Sequence, residues 1–276
     1  MAISNYIKAN KKYWNDTVSV HTASSFYNMD DFLRGKSSLQ PIELSLLGNI
    51  KGKSILHLQC HFGQDSISLA RRGAMVTGVD FSDKAIDSAK ELARKTGTSV
   101  KFVCCDIYSL PEYLEGKFDI VFTSYGTIGW LPDLKKWAFI ISKYLKAGGF
   151  FVMVDFHPVV WMLDNDFKKI TYRYFNDKPI VEETLGTYAN RKAPMQHKTI
   201  SWNHSIGEIL NNLIKNGLQI DAFNEYDYSP YNCFKHTVEI APDRFQIKHL
   251  GNKIPMMYSI KALKKNYRKK SGSRGI

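Results

Sequence analysis

The chain has 276 residues, 44% of them hydrophobic, enough for one large core or for one core with an insertion. No run of about 18 apolar residues occurs, so no membrane span is expected, and the N-terminal MAISNYIKANKKYW lacks the apolar stretch of a secretory signal. The net charge of +12 is concentrated: residues 261–276 carry seven Lys or Arg and no acid, leaving 31 basic against 26 acidic residues elsewhere.

Residues 1–50 precede the first core strand. Tyr6, Ile7, Tyr13 and Trp14 have helical spacing, Phe26, Tyr27, Phe32 and Leu33 follow, and Ser38 to Leu47 reads as a helix with Pro41 in its first turn. This aromatic segment is expected either to roof a ligand pocket or to pack on a sheet edge.

Lys53 to Ser82 organises the rest. Ile55 to Leu58 is a short apolar run, as in a buried parallel strand. Cys60 to Gly63 is a polar turn, and Ile67 to Gly73 is a helix closed by basic residues and glycine. Met75 to Val79 is a second strand ending on Asp80, 17 positions after Gly63. An acid at that tip is where a Rossmann-type βαβ unit grips a ribose diol.

Ser82 is placed to cap a helix running to Gly97. Val100 to Cys105 is a third strand ending at Asp106, and Ile107 to Gly116 a loop with a helical turn. Phe118 to Thr123 is a fourth strand opening into Ser124-Tyr125-Gly126; a helix spans Asp133 to Leu145, closed by LKAGG, and a fifth strand spans Phe150 to Phe156. Strands alternating with helices imply a doubly wound parallel sheet. Residues 158–204 change character, with candidate strands at Ile170–Phe175, Ile180–Tyr188 and Lys198–Trp202, and read as an antiparallel insertion. Ser205 to Gly217 is an amphipathic helix; Leu218–Tyr228 and Met256–Ala262 are two more strands separated by loop. The domain reading is lid helices at 1–50, a core at 51–262 with a cap at 158–204, and a basic tail at 263–276.

The stretches ILHLQCHFGQDSISLARRGAMVTGVDFSDKAI, CCDIYSLP, FDIVFTSYGTIGWLPDL and LKAGGFFVMVDFHP give the match a name. Over roughly residues 50–262 the sequence resembles class I S-adenosylmethionine-dependent methyltransferases, in particular the bacterial small-molecule type whose first motif reads HLQCHFGQD. The resemblance implies a Rossmann-like, seven-stranded mixed sheet with helices on both faces and an antiparallel last strand supplied by Met256–Ala262.

The commoner first motif of that superfamily is (D/E)xGxGxG; aligned on it, this chain has His57, Gln59, His61 and Gly63, so only the last glycine is kept. The resemblance implies S-adenosyl-L-methionine as cofactor. Asp80 would hold the ribose, with Phe81 and Ser82 beside it. Asp106 would accept from the adenine amine, and Ile107 would cover the ring. Gln59 and His61 would serve the amino and carboxylate ends of the methionine, flanked by Ser124, Tyr125 and Gly126. Trp14, Tyr27 and Arg34 are candidates to close over that end.

Methyl transfer from a sulfonium needs alignment, plus a base only where the acceptor must lose a proton. His157, after strand five, is the candidate base or else a structural turn residue; His204 and His236 are further candidates. No His, Cys or acid cluster has metal-ligand spacing, and Cys60, Cys104, Cys105 and Cys233 read as free thiols of a cytoplasmic protein.

Trp161, Tyr172, Tyr174, Tyr188 and Trp202 would line a pocket for a small acceptor with apolar or aromatic surface, or form the insertion's own core. The alternatives are a nucleic-acid methyltransferase using the basic tail, although no (D/N)PPY stands where SYGT does, and a non-catalytic protein that binds S-adenosylmethionine or S-adenosylhomocysteine. A nicotinamide dehydrogenase would want GxGxxG, which bulky Gln59 and His61 replace.

Overall fold

A computed structural model of the chain describes residues 4–175 and 178–265. Helix α1 (Ser4–Thr22), a 3₁₀ turn at Ser25–Tyr27, α2 (Met29–Leu33) and α3 (Pro41–Leu47) precede the sheet. Pro41 opens α3, and Glu43 Oε1 accepts from the Gln40 N–H at its start.

The core then runs β1 (Ser54–Leu58), α4 (Gln64–Arg71), β2 (Met75–Asp80), α5 (Asp83–Lys95) and β3 (Lys101–Cys104). After a 3₁₀ turn at Ile107–Glu112 come β4 (Phe118–Ser124), α6 (Leu134–Tyr144) and β5 (Leu145–Phe156). Hairpin β6 (Ile180–Leu185) and β7 (Gln196–Ser201), α7 (Ile206–Lys215), β8 (Leu218–Tyr226), hairpin β9 (Thr237–Ala241) and β10 (Arg244–Ile247), and β11 (Met257–Lys264) complete the order.

The main sheet is ordered β3-β2-β1-β4-β5-β11-β8. β1 to β5 are parallel, and β11 is antiparallel to both β5 and β8, as the sequence implied. Alternation along the strands divides the core in two. Leu56, Leu58, Val121 and Met153 face α6 and α7, while Ile55, Phe122, Val152 and Val154 face α3 and α4. α6 presents Leu134, Trp137, Ala138, Ile141 and Tyr144 at helical spacing, and each large side chain so buried contributes roughly 1.5–3 kcal/mol. The strand order reverses direction between β1 and β4, which opens a crevice at the carboxyl ends of the strands.

Three sequence expectations fail locally. Ile170–Phe175 forms no strand, only the single bridge Leu163–Ile170. Asp164 accepts from the Lys168 N–H and bends the chain, and Ile170 and Phe175 are exposed. The stretch between β8 and β11, expected as loop, contains the β9–β10 hairpin. Its signal was Pro242-Asp243, with Asp243 at φ 56° in the turn. LKAGG does not merely close α6. It starts β5, where a Cβ on Gly149 would lie 2.7 Å from the Asp119 carbonyl oxygen. Of the seven basic residues assigned to the tail region, Lys261 and Lys264 belong to β11, and the chain from 266 onward lies outside the described residues.

Candidate functional site

The turn after β1 carries three left-handed residues in alternation: Gln59 (φ 56°), His61 (φ 50°) and Gly63 (φ 81°). The backbone path that glycines would permit is therefore present, held by two side chains at a cost of about 1–2 kcal/mol each. Surrounding bonds hold it there. Gln59 Nε2 donates to the Thr127 carbonyl at 2.9 Å, and the His61 N–H donates to Asp80 Oδ2 at 2.8 Å. Gly63 is required by packing as well as by φ, because a Cβ there would stand 2.8 Å from Phe102 Cζ.

Asp80 ends β2 and also accepts from the Ser82 N–H at 2.9 Å. Burial pushes its carboxyl up to about 6, against the pull of those backbone donors. Ser82 caps α5 through its Oγ, which accepts from the Ala85 N–H and donates to Asn15 Oδ1 on α1.

The turn after β4 is organised by Asp155 at the end of β5. Its carboxylate accepts from the N–H groups of Gly126 (2.6 Å), Thr127 (3.0 Å), Ile128 (3.1 Å) and Phe156 (2.7 Å). Tyr125 (φ 48°) and Gly126 (φ 72°) are left-handed there. Tyr125 Oη donates to Glu43 Oε2 at 2.5 Å. Glu43 is fully buried, and burial followed by the charge of Asp65 pushes its carboxyl up to about 8.

These turns line a cavity of about 1310 Å³ at the carboxyl edge of the sheet. Of the residues the sequence singled out, it brings together Trp14, Tyr27, His57, Gln59, His61, Gly63, Asp80, Phe81, Ser124, Tyr125 and Gly126. Trp161, Tyr172, Tyr188 and Trp202 of the insertion also face it, and Tyr27 and Tyr188 join through their hydroxyls. The β8–β11 connection adds Tyr231, Cys233 and Phe234, a wall that a plain loop reading did not foresee.

Other expected residues lie elsewhere. His157 is buried behind the end of β5: its Nδ1 accepts from the Val159 N–H at 3.2 Å, its Nε2 is 3.0 Å from Glu225 Oε1, and it does not line the cavity. The turn into Pro158 directs the ring toward β8, so the placement corrects its reading as a base. His204 lines the cavity, but its Nε2 is bonded to the Leu131 carbonyl, and His236 pairs with Asp166 at the surface. Ser82, Asp106 and Ile107 stand outside the cavity lining. Asp106 caps the 3₁₀ turn through the Tyr108 N–H, and Ile107 is packed in the α6 core. Arg34 is exposed and paired with Asp31, and Tyr174 Oη accepts from the Ile206 N–H, so neither joins the roof.

The roof is built from two distant segments. Asn10 of α1 exchanges two hydrogen bonds with the backbone of Ile200 in β7 (2.7 and 3.0 Å), and Tyr6 meets Trp202 edge-on at 5.2 Å. Beneath, Trp14 and His21 each lie 5.2 Å from the His61 ring. Asp65, Glu43 and Asp155 were missed by the sequence reading. Asp65 ends the quoted HLQCHFGQD motif, and Asp155 stands at a strand tip like Asp80 and Asp106.

This strand order, with an antiparallel β11 and an acid ending β2, is the Rossmann-like fold of S-adenosylmethionine-dependent methyltransferases. Residues 55–149 match the family model described as a methyltransferase domain. A solved S-adenosylmethionine-dependent methyltransferase from Mesorhizobium loti superposes with a TM-score of 0.55 at 21% identity, covering 84% of this chain and 99% of that one. A ubiquinone biosynthesis O-methyltransferase from Idiomarina loihiensis is 29% identical over 51% of this chain and 60% of its own length. An uncharacterized protein from Haemophilus influenzae is 26% identical over 76% of this chain and 87% of its own. The match thus spans about three fifths of the ubiquinone-pathway relative. Among the described residues no helix is long and apolar enough to cross a membrane, and no group of three or more His, Cys, Asp or Glu is arranged to hold a metal.

Proposed function

We propose that the protein is an S-adenosylmethionine-dependent methyltransferase acting on a small-molecule acceptor. The observation that carries this is the cavity of about 1310 Å³ between the turns after β1 and β4, bordered by Asp80. Pockets for single drug-sized ligands run to about 300–1,000 Å³, so there is room for a cofactor and an acceptor together.

The residues present fit the cofactor at its ribose and aminoacyl ends. Asp80 has one backbone donor on each oxygen and an acceptor position left on each for a diol. Buried Gln59 Oε1, His57 Nε2 and His61 Nε2 lack partners inside the protein, polar atoms that a ligand would satisfy.

Bound there, the cofactor supplies an activated methyl group on sulfonium. The protein's part is alignment and exclusion of water. Asp155 fixes the turn after β4 that borders the cavity, and α1 and the β6–β7 hairpin would roof a bound cofactor and acceptor. The aromatic faces of Trp161, Tyr172 and Phe156 favour an acceptor with flat or apolar surface. The name of the Idiomarina relative, an O-methyltransferase of ubiquinone biosynthesis, agrees with a small-molecule acceptor.

Calorimetry with S-adenosylhomocysteine, followed by transfer of a labelled methyl group to a panel of small hydroxyl, amine and thiol acceptors, tests the reading. Binding with transfer supports it. Binding with no acceptor in the panel points instead to a sensor of the cofactor pair, and transfer to RNA instead points to the basic C-terminal residues. No binding overturns it.

A further inference from the structure

Asn203 is a polar residue that the cofactor reading does not use. It lies between β7 and α7, lines the cavity and is 2% exposed. Its Nδ2 donates to the carbonyls of Pro158 and Arg173, each at 3.1 Å. Both amide hydrogens are thereby engaged, and turning the amide over would set its oxygen against two carbonyl oxygens. Oδ1 is therefore fixed in place, yet it is buried and has no partner in the protein. Buried polar atoms are nearly always paired, so an orphan on a cavity wall marks a place that a ligand group completes.

The flanking residues hold this side chain still. The Trp202 N–H donates to the Gly129 carbonyl at 2.7 Å, and His204 Nε2 is bonded to the Leu131 carbonyl at 2.7 Å. Three successive residues are thus tied to the connection after β4 on one side and to the chain beyond β5 on the other.

The sheet separates Asn203 from the nucleoside end. Asp80 closes β2, Pro158 follows β5, and β1 and β4 stand between. At roughly 4.8 Å per strand, that is about 14 Å of sheet. Asn203 belongs to the end of the cavity remote from Asp80, where a methyl acceptor has room. Tyr172, next to Arg173 in the chain, and Trp161, three residues past Pro158, line the same cavity.

We propose that Asn203 Oδ1 is a contact for the methyl acceptor and selects a small aromatic molecule carrying an O–H or N–H group. This rests on the reading of the cavity as a methyl-transfer site and narrows its substrate class. An amide oxygen whose hydrogens are both engaged can only accept. It matches a hydroxyl or an amine hydrogen and leaves an ether, a tertiary amine or a carboxylate unpaired. The bond binds and orients the acceptor; a neutral amide oxygen is no base.

The test begins with calorimetry of the wild type and S-adenosylhomocysteine. No binding would sink the methyltransferase reading, and this assignment with it. The saturated protein is then titrated with phenol, aniline and toluene, rings of similar size of which toluene alone lacks a donor. Toluene is also the most apolar, so a wall without a fixed acceptor would favour it.

The wild type should instead bind phenol or aniline about 3- to 10-fold more tightly than toluene. The tighter of the two tells a hydroxyl site from an amine site. The side-chain NH2 signal of Asn203 in NMR should shift with that ring and not with toluene. In Asn203→Ala the order should reverse in favour of toluene. Toluene binding as tightly as both donors, or no binding of any ring, would overturn the assignment with the cofactor site intact. So would an amide signal that phenol and aniline leave unmoved, or that toluene moves equally. These arms use the wild type and need no variant to fold. An Asn203→Ala protein that still prefers the donors would overturn it as well.

Discussion

The backbone N–H of His61 donates to Asp80 Oδ2 at 2.8 Å, so the turn after β1 and the tip of β2 are held by one bond. The strained turn is positioned by the carboxylate expected to receive a ribose. Asp80→Ala should weaken S-adenosylhomocysteine binding by about 1–3 kcal/mol, from lost hydroxyl bonds and a loosened turn. Unchanged affinity by calorimetry would disprove the ribose assignment.

That carboxyl, raised to about 6 by burial, accepts two hydroxyl protons only when ionised. Affinity for S-adenosylhomocysteine should therefore increase as pH rises from about 5 to 7. A flat profile over that range would show that Asp80 is not a contact.

Gly63→Ala puts a Cβ 2.8 Å from Phe102 Cζ and 3.0 Å from Ala89 Cβ, at φ 81°. Overpacking and left-handed strain together should cost about 2–4 kcal/mol of stability. Urea unfolding measures it, and a loss below about 1 kcal/mol would mean that Phe102 moves aside freely.

Glu43 has an ordinary value of 4.5, raised to about 8 in the folded chain. Between those values the folded chain holds a proton that the unfolded chain has released. Stability therefore falls as pH rises through the window, by at most about 1.4 kcal/mol per pH unit. Buried His21 and His57, both lowered to about 4, act oppositely below about 6.5, so Glu43 should dominate from about 6.5 to 8. Unfolding midpoints for the wild type should drop over that interval and those of Glu43→Gln should drop less. Parallel slopes would remove Glu43 as the cause.

Asn10 satisfies both the N–H and the C=O of Ile200 from a position that is 1% exposed. Asn10→Ala leaves both groups without that partner and should cost about 1–3 kcal/mol. Hydrogen exchange should quicken over α1 and β7 while β1 and β4 keep their protection. Unaltered exchange in α1 would mean that the aromatic contacts alone seat the roof.

The parallel sheet was legible because its strands are short runs and helices α4, α5 and α6 follow β1, β2 and β4. Asp80 and Asp106 look alike in the sequence, each an acid at a strand end, but Asp80 borders the cavity while Asp106 stands outside its lining and caps the local turn through Tyr108. His157 misled for a related reason. A strand end fixes where a residue begins but not the side toward which the next peptide turns, and here the ring went to Glu225. The left-handed backbone at Gln59 and His61 was invisible in a sequence with no glycine at either position, because partners 68 and 19 residues away hold it. Aromatic spacing in the insertion could not separate core from cavity wall. Tyr172 is placed by its bond to Glu182 and Tyr188 by its contact with Tyr27, partners that spacing alone does not name.

Asn10 and Ile200 are 190 residues apart. At synthesis rates of roughly 5–20 residues per second, the first helix waits about 10–40 s for the strand it rests on. During that interval Tyr13 and Trp14 have no β6–β7 hairpin to lie beneath, although the early strands can already pair. A nascent chain halted before Gln196 would hold most of the parallel sheet under an open crevice, with α1 an amphipathic segment available to ribosome-associated chaperones.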